Sequence, residues 1–72
     1  MRLKLLSVCP SSGPTGPADT YNDFVGNNAV GTVVTFTCSS DDITIFTSQC
    51  QANGVWTTAV GTCPPVGKYN KN

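Results

Sequence analysis

Four cysteines, Cys9, Cys38, Cys50 and Cys63, are the residues of this chain whose chemistry and spacing constrain it most. Their number is even, the chain contains no histidine, and no pair of cysteines has the spacing of a zinc knuckle. Disulfide bonds are therefore favoured over a metal site, although spacing alone cannot rank the possible pairings. Stable disulfides indicate an oxidising compartment, so we expect the protein to be secreted or to lie on the extracellular face of the cell surface.

The remaining side chains do not predict catalysis. The chain has no His and no Glu, and cysteines held in bridges leave no thiol nucleophile. Its Asp residues lie in turn-prone contexts, where carboxylates commonly cap or solvate loops. A calcium site at Asp41 and Asp42 is disfavoured because Ca²⁺ prefers about six or more oxygen ligands, and only these two adjacent carboxylates are offered. We therefore expect no enzyme activity, no metal and no cofactor.

Charge is segregated along the chain. The basic residues all lie within the first four or the last five positions, and the acidic residues lie between them. Residues 5–67 thus contain 0 basic and 4 acidic residues, a formal charge of −4. Nucleic acid, heparin and anionic membranes all require clustered Lys or Arg, so none of them is an expected partner. No stretch approaches the roughly 18 apolar residues of a membrane-spanning helix, so membrane insertion is not expected.

The length of 72 residues fits one small domain. With 39% hydrophobic and 11% charged residues, the chain is too apolar for a disordered segment, and its small core needs disulfides for stability. Residues 1–8 begin like a secretory signal, but Cys9 comes before any useful hydrophobic stretch. We interpret residues 1–8 as a leader remnant or as residues added for expression, residues 9–63 as the domain, and residues 64–72 as a C-terminal tail or linker.

Residues 30–38 form the clearest predicted strand. They are β-branched or aromatic at almost every position, and Val34, Phe36 and Cys38 alternate with threonines. We expect these three side chains to face the core. Before this strand, residues 9–19 contain three prolines and two glycines in eleven positions, which predicts an irregular loop.

Further strands are predicted on both sides of residues 30–38. Residues 21–25 suit a short strand, and residues 43–50 suit a longer one that places Ile43 and Ile45 on one face and Phe46 on the other. No window combines helical periodicity with helix caps. The sequence therefore predicts an all-β domain.

The dipeptide Asn53-Gly54 is the strongest hairpin signal. Both residues tolerate the left-handed backbone of a two-residue primed turn, which predicts a return strand over residues 55–60. This strand carries Trp56, which we expect to fill the core beside the disulfides, as most large apolar side chains of small domains do, rather than to act as a binding hot spot.

The sequence around the cysteines resembles a known family. It runs VGTVVTFTC up to Cys38, QCQANGVW around Cys50 and GTC up to Cys63. In that order, these motifs resemble the sushi domain, also called the complement control protein module or short consensus repeat, over residues 9–63. The most specific elements are Gly31, Val34, Phe36, Cys38, Asn53, Gly54 and Trp56.

The resemblance implies a small, elongated all-β module stapled by two disulfides. Cys9 would pair with Cys50 and Cys38 with Cys63, with one bridge near each end. In the chain-entropy model, each of these closures stabilises the fold by about 3.5 to 4 kcal/mol. Loss of either bridge is then expected to be severe for a domain of this size.

The resemblance also implies a class of function. Sushi domains serve as non-enzymatic extracellular interaction modules in recognition, adhesion and complement regulation, so an extracellular protein ligand or receptor is the expected partner, together with neighbouring sushi modules if the parent chain is longer. One alternative is a free-standing disulfide-rich effector, such as a toxin-like peptide or a protease inhibitor that uses residues 10–17 as its loop. Another is a purely structural spacer.

Candidate partner-binding residues follow Cys38. Asp41 and Asp42 stand beside Ile43, Ile45 and Phe46, a combination of charges that steer association and apolar side chains that anchor it. A solvated turn followed by an ordinary strand explains the same residues equally well.

Overall fold

A computed structural model describes residues 8–65. These residues form a three-stranded antiparallel sheet in the order β1-β2-β3. Its strands are β1 (Thr20–Asn22), β2 (Val33–Cys38) and β3 (Ile45–Gln49). The all-β prediction is thereby confirmed. Within the described part of the chain, no helix is long and apolar enough to cross a membrane.

The central strand β2 supplies the core. Val34, Phe36 and Cys38 are 1%, 2% and 0% exposed, because the alternation with threonine turns all three to the same side of the sheet. The strand begins three residues later than expected. Gly31 adopts a left-handed φ of 95°, and the amide of Thr32 donates to the carbonyl of Ala29 in a turn, so the strand cannot include them.

The core-facing side of the sheet is covered by segments without regular structure. Ala59, from the C-terminal segment, is buried together with Val34 and Phe36. The proline-rich loop, residues 10–17, lies so close to the core that a Cβ at Gly16 would collide with the ring of Phe36. Phe24, Phe46 and Trp56 are partly buried around this cluster. A small core is therefore closed by irregular chain on one side of a single sheet.

The predicted return strand over residues 55–60 is wrong. Trp56 forms an isolated bridge with Cys50, and from there to Pro65, the last described residue, the backbone is bonded to β3 only through Thr57. The physical reason is the second disulfide: Cys63 has to reach Cys38, so the chain leaves β3 and crosses the core-facing side of the sheet. Ala59 is buried on that path.

The predicted two-residue turn at Asn53-Gly54 is also different in detail. Gly54 has a left-handed φ of 83°, but Asn53 does not. The amide of Gly54 donates to the carbonyl of Gln51 at 2.9 Å, and the amide of Gln51 donates to the carbonyl of Val55 at 3.0 Å. This pattern defines a three-residue loop, residues 52–54, that ends in a glycine bulge. The chain reverses direction here as predicted, but the loop is one residue longer than the predicted turn.

Two disulfides staple the sheet. Cys9 is bonded to Cys50 with a Cα–Cα distance of 5.9 Å, and Cys38 to Cys63 with 5.6 Å, both within the ordinary range. This is the pairing that the sushi resemblance implies. Cys38 ends β2, whereas Cys50 follows the residue of β3 that pairs with the first residue of β2. The bridges therefore lie at opposite ends of the sheet.

The proposed domain boundaries fall largely at the limits of the described chain. Residues 1–7 and 66–72, assigned to a leader remnant and a tail, lie outside the described residues. Val8 is described, and its backbone forms an antiparallel bridge with Ala29. Val8 is thus part of the folded domain.

Candidate interaction surface

The side of the sheet opposite the core is exposed. In register, Thr37 of β2 lies between Tyr21 of β1 and Ile45 of β3. Side chains of such cross-strand partners stand side by side, and because Phe36 points to the core, this row points away from it. Tyr21 is 51% exposed and Ile45 is 54% exposed. We call this side of the sheet, formed by Tyr21, Val33, Thr35, Thr37, Ile45, Thr47 and Gln49, the outer face.

Asp41 organises the turn between β2 and β3. Its carboxylate accepts hydrogen bonds from the amides of Ile43 and Thr44 at 3.0 and 3.1 Å and from the hydroxyl of Thr44 at 2.6 Å. The hydroxyl bond, followed by the amide bonds, lowers the pKa of Asp41 because all of them favour the charged form. The carboxylate of Asp41 thus has a local structural role in addition to its charge.

Asp42 connects the same turn to the outer face. Its backbone is left-handed, with a φ of 59°, and its amide donates to the carbonyl of Cys38 at 2.8 Å. Its carboxylate accepts a 2.8 Å hydrogen bond from the phenol of Tyr21. That bond and the negative charge of Asp42 raise the pKa of Tyr21, because both favour the protonated phenol. An exposed carboxylate is therefore held beside an exposed aromatic ring.

The structure divides the candidate binding residues into two groups. Asp42, Ile43 and Ile45 are exposed, and Ile43 is 65% exposed. Phe46 is half-buried against the core, where a Cβ at Gly61 would collide with its ring. As predicted, Phe46 lies on the opposite face of β3 from Ile45. Phe46 packs against the core, and the two isoleucines are accessible.

Tyr21 was missed as a candidate binding residue. It is 21 residues away from Asp42 in the sequence, and only the pairing of β1 with β2 brings the two together. The one signal in the sequence is the strand-like composition around Tyr21, which predicts a strand but not its register. Tyr21 thus forms an exposed surface patch together with Asp42, Ile43 and Ile45. We call this patch the outer patch.

The predicted core aromatic Trp56 is half-buried. Its ring meets that of Phe24 edge-on, with ring centroids 6.0 Å apart and an interplanar angle of 90°. Its indole Nε1 donates to the carbonyl of Pro10 at 3.2 Å. Trp56 therefore fastens the proline-rich loop to the sheet, with its backbone beside Cys50.

A concave region lies at the Cys38–Cys63 bridge. A cavity of about 460 Å³ is lined there by Asp19, Ser39, Ser40, Thr62, Cys63, Pro64 and Pro65. Its titratable side chain is Asp19. Among residues 8–65, no group of three or more His, Cys, Asp or Glu side chains is placed to hold a metal ion. The geometry of this cavity therefore provides neither a metal centre nor an acid–base pair.

Comparisons with known proteins add no relative. Searches of protein-family models, of curated proteins and of solved structures found no match to this chain. The class of protein that the fold and the surface define is a small, disulfide-stapled all-β domain with an exposed outer patch.

Proposed function

We propose that this chain is an extracellular, non-enzymatic protein interaction module of the sushi type that binds its partner through the outer patch. The observation that carries the proposal is the combination of Ile43, Ile45 and Tyr21, each at least half exposed, with the carboxylate of Asp42. Apolar and aromatic anchors beside an ordered charge are typical of protein recognition sites.

The outer patch is also preorganised. Asp41 holds the turn through hydrogen bonds to Ile43 and Thr44, and the phenol of Tyr21 fixes the carboxylate of Asp42. A surface that is ordered before binding loses less conformational entropy when the partner arrives. The two disulfides, which tie both ends of the sheet, act in the same direction and suit an oxidising extracellular environment.

The effector alternative depends on the proline-rich loop, residues 10–17. A protease inhibitor needs a loop that projects from the domain, but here Gly13 lies against Phe24 and Gly16 against Phe36. The carbonyl of Pro10 is held by Trp56. This loop serves as a cover for the core, which favours the interaction module over the inhibitor.

The proposal is tested by binding of the full, oxidised chain to an array of extracellular protein domains. Ile43→Lys and Ile45→Lys should each weaken a specific interaction by about tenfold or more, because a charge replaces an apolar anchor. The matched control is Val60→Lys, since Val60 is 71% exposed but lies in the segment that crosses the core-facing side of the sheet.

Two outcomes contradict the proposal. One is a partner whose affinity falls with Val60→Lys and not with the two outer-patch variants. The other is inhibition of a protease that depends on residues 10–17, which would establish the effector alternative.

A further inference from the structure

The free edge of β3 carries an inference about how a partner binds. In the part of the chain that the structure describes, β3 is an outer strand of the sheet, with β2 on one side only. The amide of Cys38 donates to the carbonyl of Thr44, and the amide of Cys50 donates to the carbonyl of Thr32, both at 2.9 Å. In an antiparallel pair, the residues that bond to the neighbouring strand alternate with residues whose backbone groups point the other way.

This alternation identifies the open backbone groups. The backbone N–H and C=O groups of Phe46 and Ser48 point toward β2, as the carbonyl of Thr44 and the amide of Cys50 do. The N–H and C=O groups of Ile45 and Thr47 therefore point away from β2. Gln49 also points away, but it is bonded to Thr57 through its carbonyl and its amide, both at 2.9 Å. Within residues 8–65, no hydrogen bond reaches the backbone of Ile45 or Thr47 from that side.

Proteins usually protect such an edge with a charge, a proline, a bulge or a covering segment. The strand Ile45–Gln49 has the sequence IFTSQ, which contains neither a charge nor a proline. As far as Pro65, the last described residue, the chain after Thr57 turns to the core-facing side, where Ala59 is buried, and makes no backbone hydrogen bond to Ile45 or Thr47. The edge is thus suited to pairing with another strand.

We propose that the edge of β3 accepts an extended segment of a partner protein as a fourth strand, and that this segment carries Lys or Arg, which the negative charge of residues 8–65 attracts. The inference rests on the proposed function as an interaction module and specifies its mode of binding. Main-chain hydrogen bonds to Ile45 and Thr47 would supply affinity, and alternate side chains of the added strand would reach the outer patch beside Ile45.

Charge selects a basic partner over a second copy of this chain. Residues 8–65 contain four Asp and no Lys or Arg, because the basic residues of the chain all lie within its first four or last five positions, so strand β3 of a second copy would bring no positive charge to this edge. Two of these carboxylates, Asp41 and Asp42, lie in the turn that precedes β3, and the formal charge of residues 8–65 is −4. A segment that carries Lys or Arg is therefore attracted to this domain electrostatically.

The test uses the full, oxidised chain and a random heptapeptide phage library as the probe. Selected peptides should carry Lys or Arg and alternate apolar residues. In NMR titrations, they should shift the amides of Ile45 and Thr47 and slow their hydrogen exchange by about tenfold or more, while the amide of Thr35 on the β1 side stays unchanged.

A pair of variants at one position isolates the backbone contribution. Thr47→Pro removes an outward N–H and leaves the bonds to β2, so it should weaken peptide binding by about tenfold or more. Thr47→Val keeps the N–H and nearly the same shape, and should bind like the unmodified chain. If Thr47→Pro fails to fold, the chemical shifts and hydrogen exchange of the Ile45 and Thr47 amides in the unmodified chain test the proposal.

Several results would overturn the inference. They are the absence of any selected peptide, unchanged exchange of the two amides on binding, and full affinity of a folded Thr47→Pro variant. Concentration-dependent dimers with the same amides protected would identify a second copy as the occupant instead of a basic partner. A partner that depends on Ile43 but leaves these amides unchanged would retain the interaction-module proposal and reject strand addition.

Discussion

The phenol of Tyr21 donates a 2.8 Å hydrogen bond to the carboxylate of Asp42, 21 residues further along the chain. This bond links the short strand β1 to the turn between β2 and β3, a turn whose Ser39 also donates hydrogen bonds to the carbonyl of Asp19, directly before β1. It also places an aromatic ring and a negative charge together on the outer patch. The proposed binding surface therefore depends on a contact that the pairing of β1 creates.

The bond makes Tyr21 harder to ionise. Its pKa is raised by the hydrogen bond to Asp42 and by the negative charge nearby. The stabilisation is present below the unfolded-state pKa of about 10 and is lost as the pH rises through the higher folded pKa. Asp42→Asn removes the charge and should lower the pKa of Tyr21.

Absorbance of the phenolate during a pH titration measures this effect. A Tyr69→Phe background leaves Tyr21 as the tyrosine that reports, because the chain contains two tyrosines. Equal titration curves with and without Asp42→Asn would show that the bond does not persist in solution.

Asp41 should make stability depend on acid pH. Its pKa is lowered by hydrogen bonds from the hydroxyl of Thr44 and the amide of Ile43. The contribution is complete above the unfolded-state pKa of about 4 and is lost as the pH falls through the lower folded pKa. Asp41→Asn should therefore flatten the acid limb of a plot of unfolding free energy against pH, measured by urea denaturation. An acid limb left unchanged by Asp41→Asn would contradict the role assigned to Asp41.

The central strand was predictable because its alternation is local. Val34, Phe36 and Cys38 repeat with the period of a strand, and burial on one side follows from that period alone. The same reasoning placed Phe46 and Ile45 on opposite faces of β3. What it could not supply was the register between strands, on which the contact between Tyr21 and Asp42 depends.

Residues 55–60 show the opposite case. Their composition favours a strand, but the bond between Cys63 and Cys38 requires the chain to cross the sheet instead of extending along it. Backbone propensity is worth less than a covalent closure and the burial of Ala59. The resemblance that supplied the disulfide pairing did not supply the path of the chain between the cysteines.

A substitution at Gly16 tests the close contact between the proline-rich loop and the core. Its backbone φ is not left-handed, but a Cβ there would collide with the ring of Phe36, which is 2% exposed. Gly16→Ala should therefore cost about 1 to 3 kcal/mol through overpacking.

Gly26→Ala is the matched control for that substitution. A Cβ at Gly26 meets open space, while its φ of 97° is unfavourable for alanine. The loss of stability in this variant, about 1 kcal/mol, therefore measures backbone strain alone. Urea denaturation compares the two, and a Gly16→Ala variant as stable as the unmodified chain would show that the loop does not lie on Phe36.

Each disulfide should be essential for stability. Replacing Cys38 and Cys63 together with alanine releases a loop with a sequence separation of 25, and replacing Cys9 and Cys50 releases one of 41. Each change should cost about 3.5 to 4 kcal/mol, a large part of the stability of a small domain. Thermal denaturation followed by circular dichroism measures the loss. A cost below about 1 kcal/mol for either pair would show that the bridge constrains little of the fold.

Hydrogen exchange of the free chain tests the open edge of β3 before any partner is known. Amides bonded between strands open only with the sheet, whereas amides that face solvent exchange without unfolding. Ile45 and Thr47 should therefore exchange at least about tenfold faster than Phe46 and Ser48, although all four belong to the same strand. NMR-detected exchange resolves the four amides, and the amide of Gln49, bonded to Thr57, provides an internal control on the same outward side. Equal protection of all four would mean that another part of the chain already pairs with this edge, which would leave no place for a fourth strand.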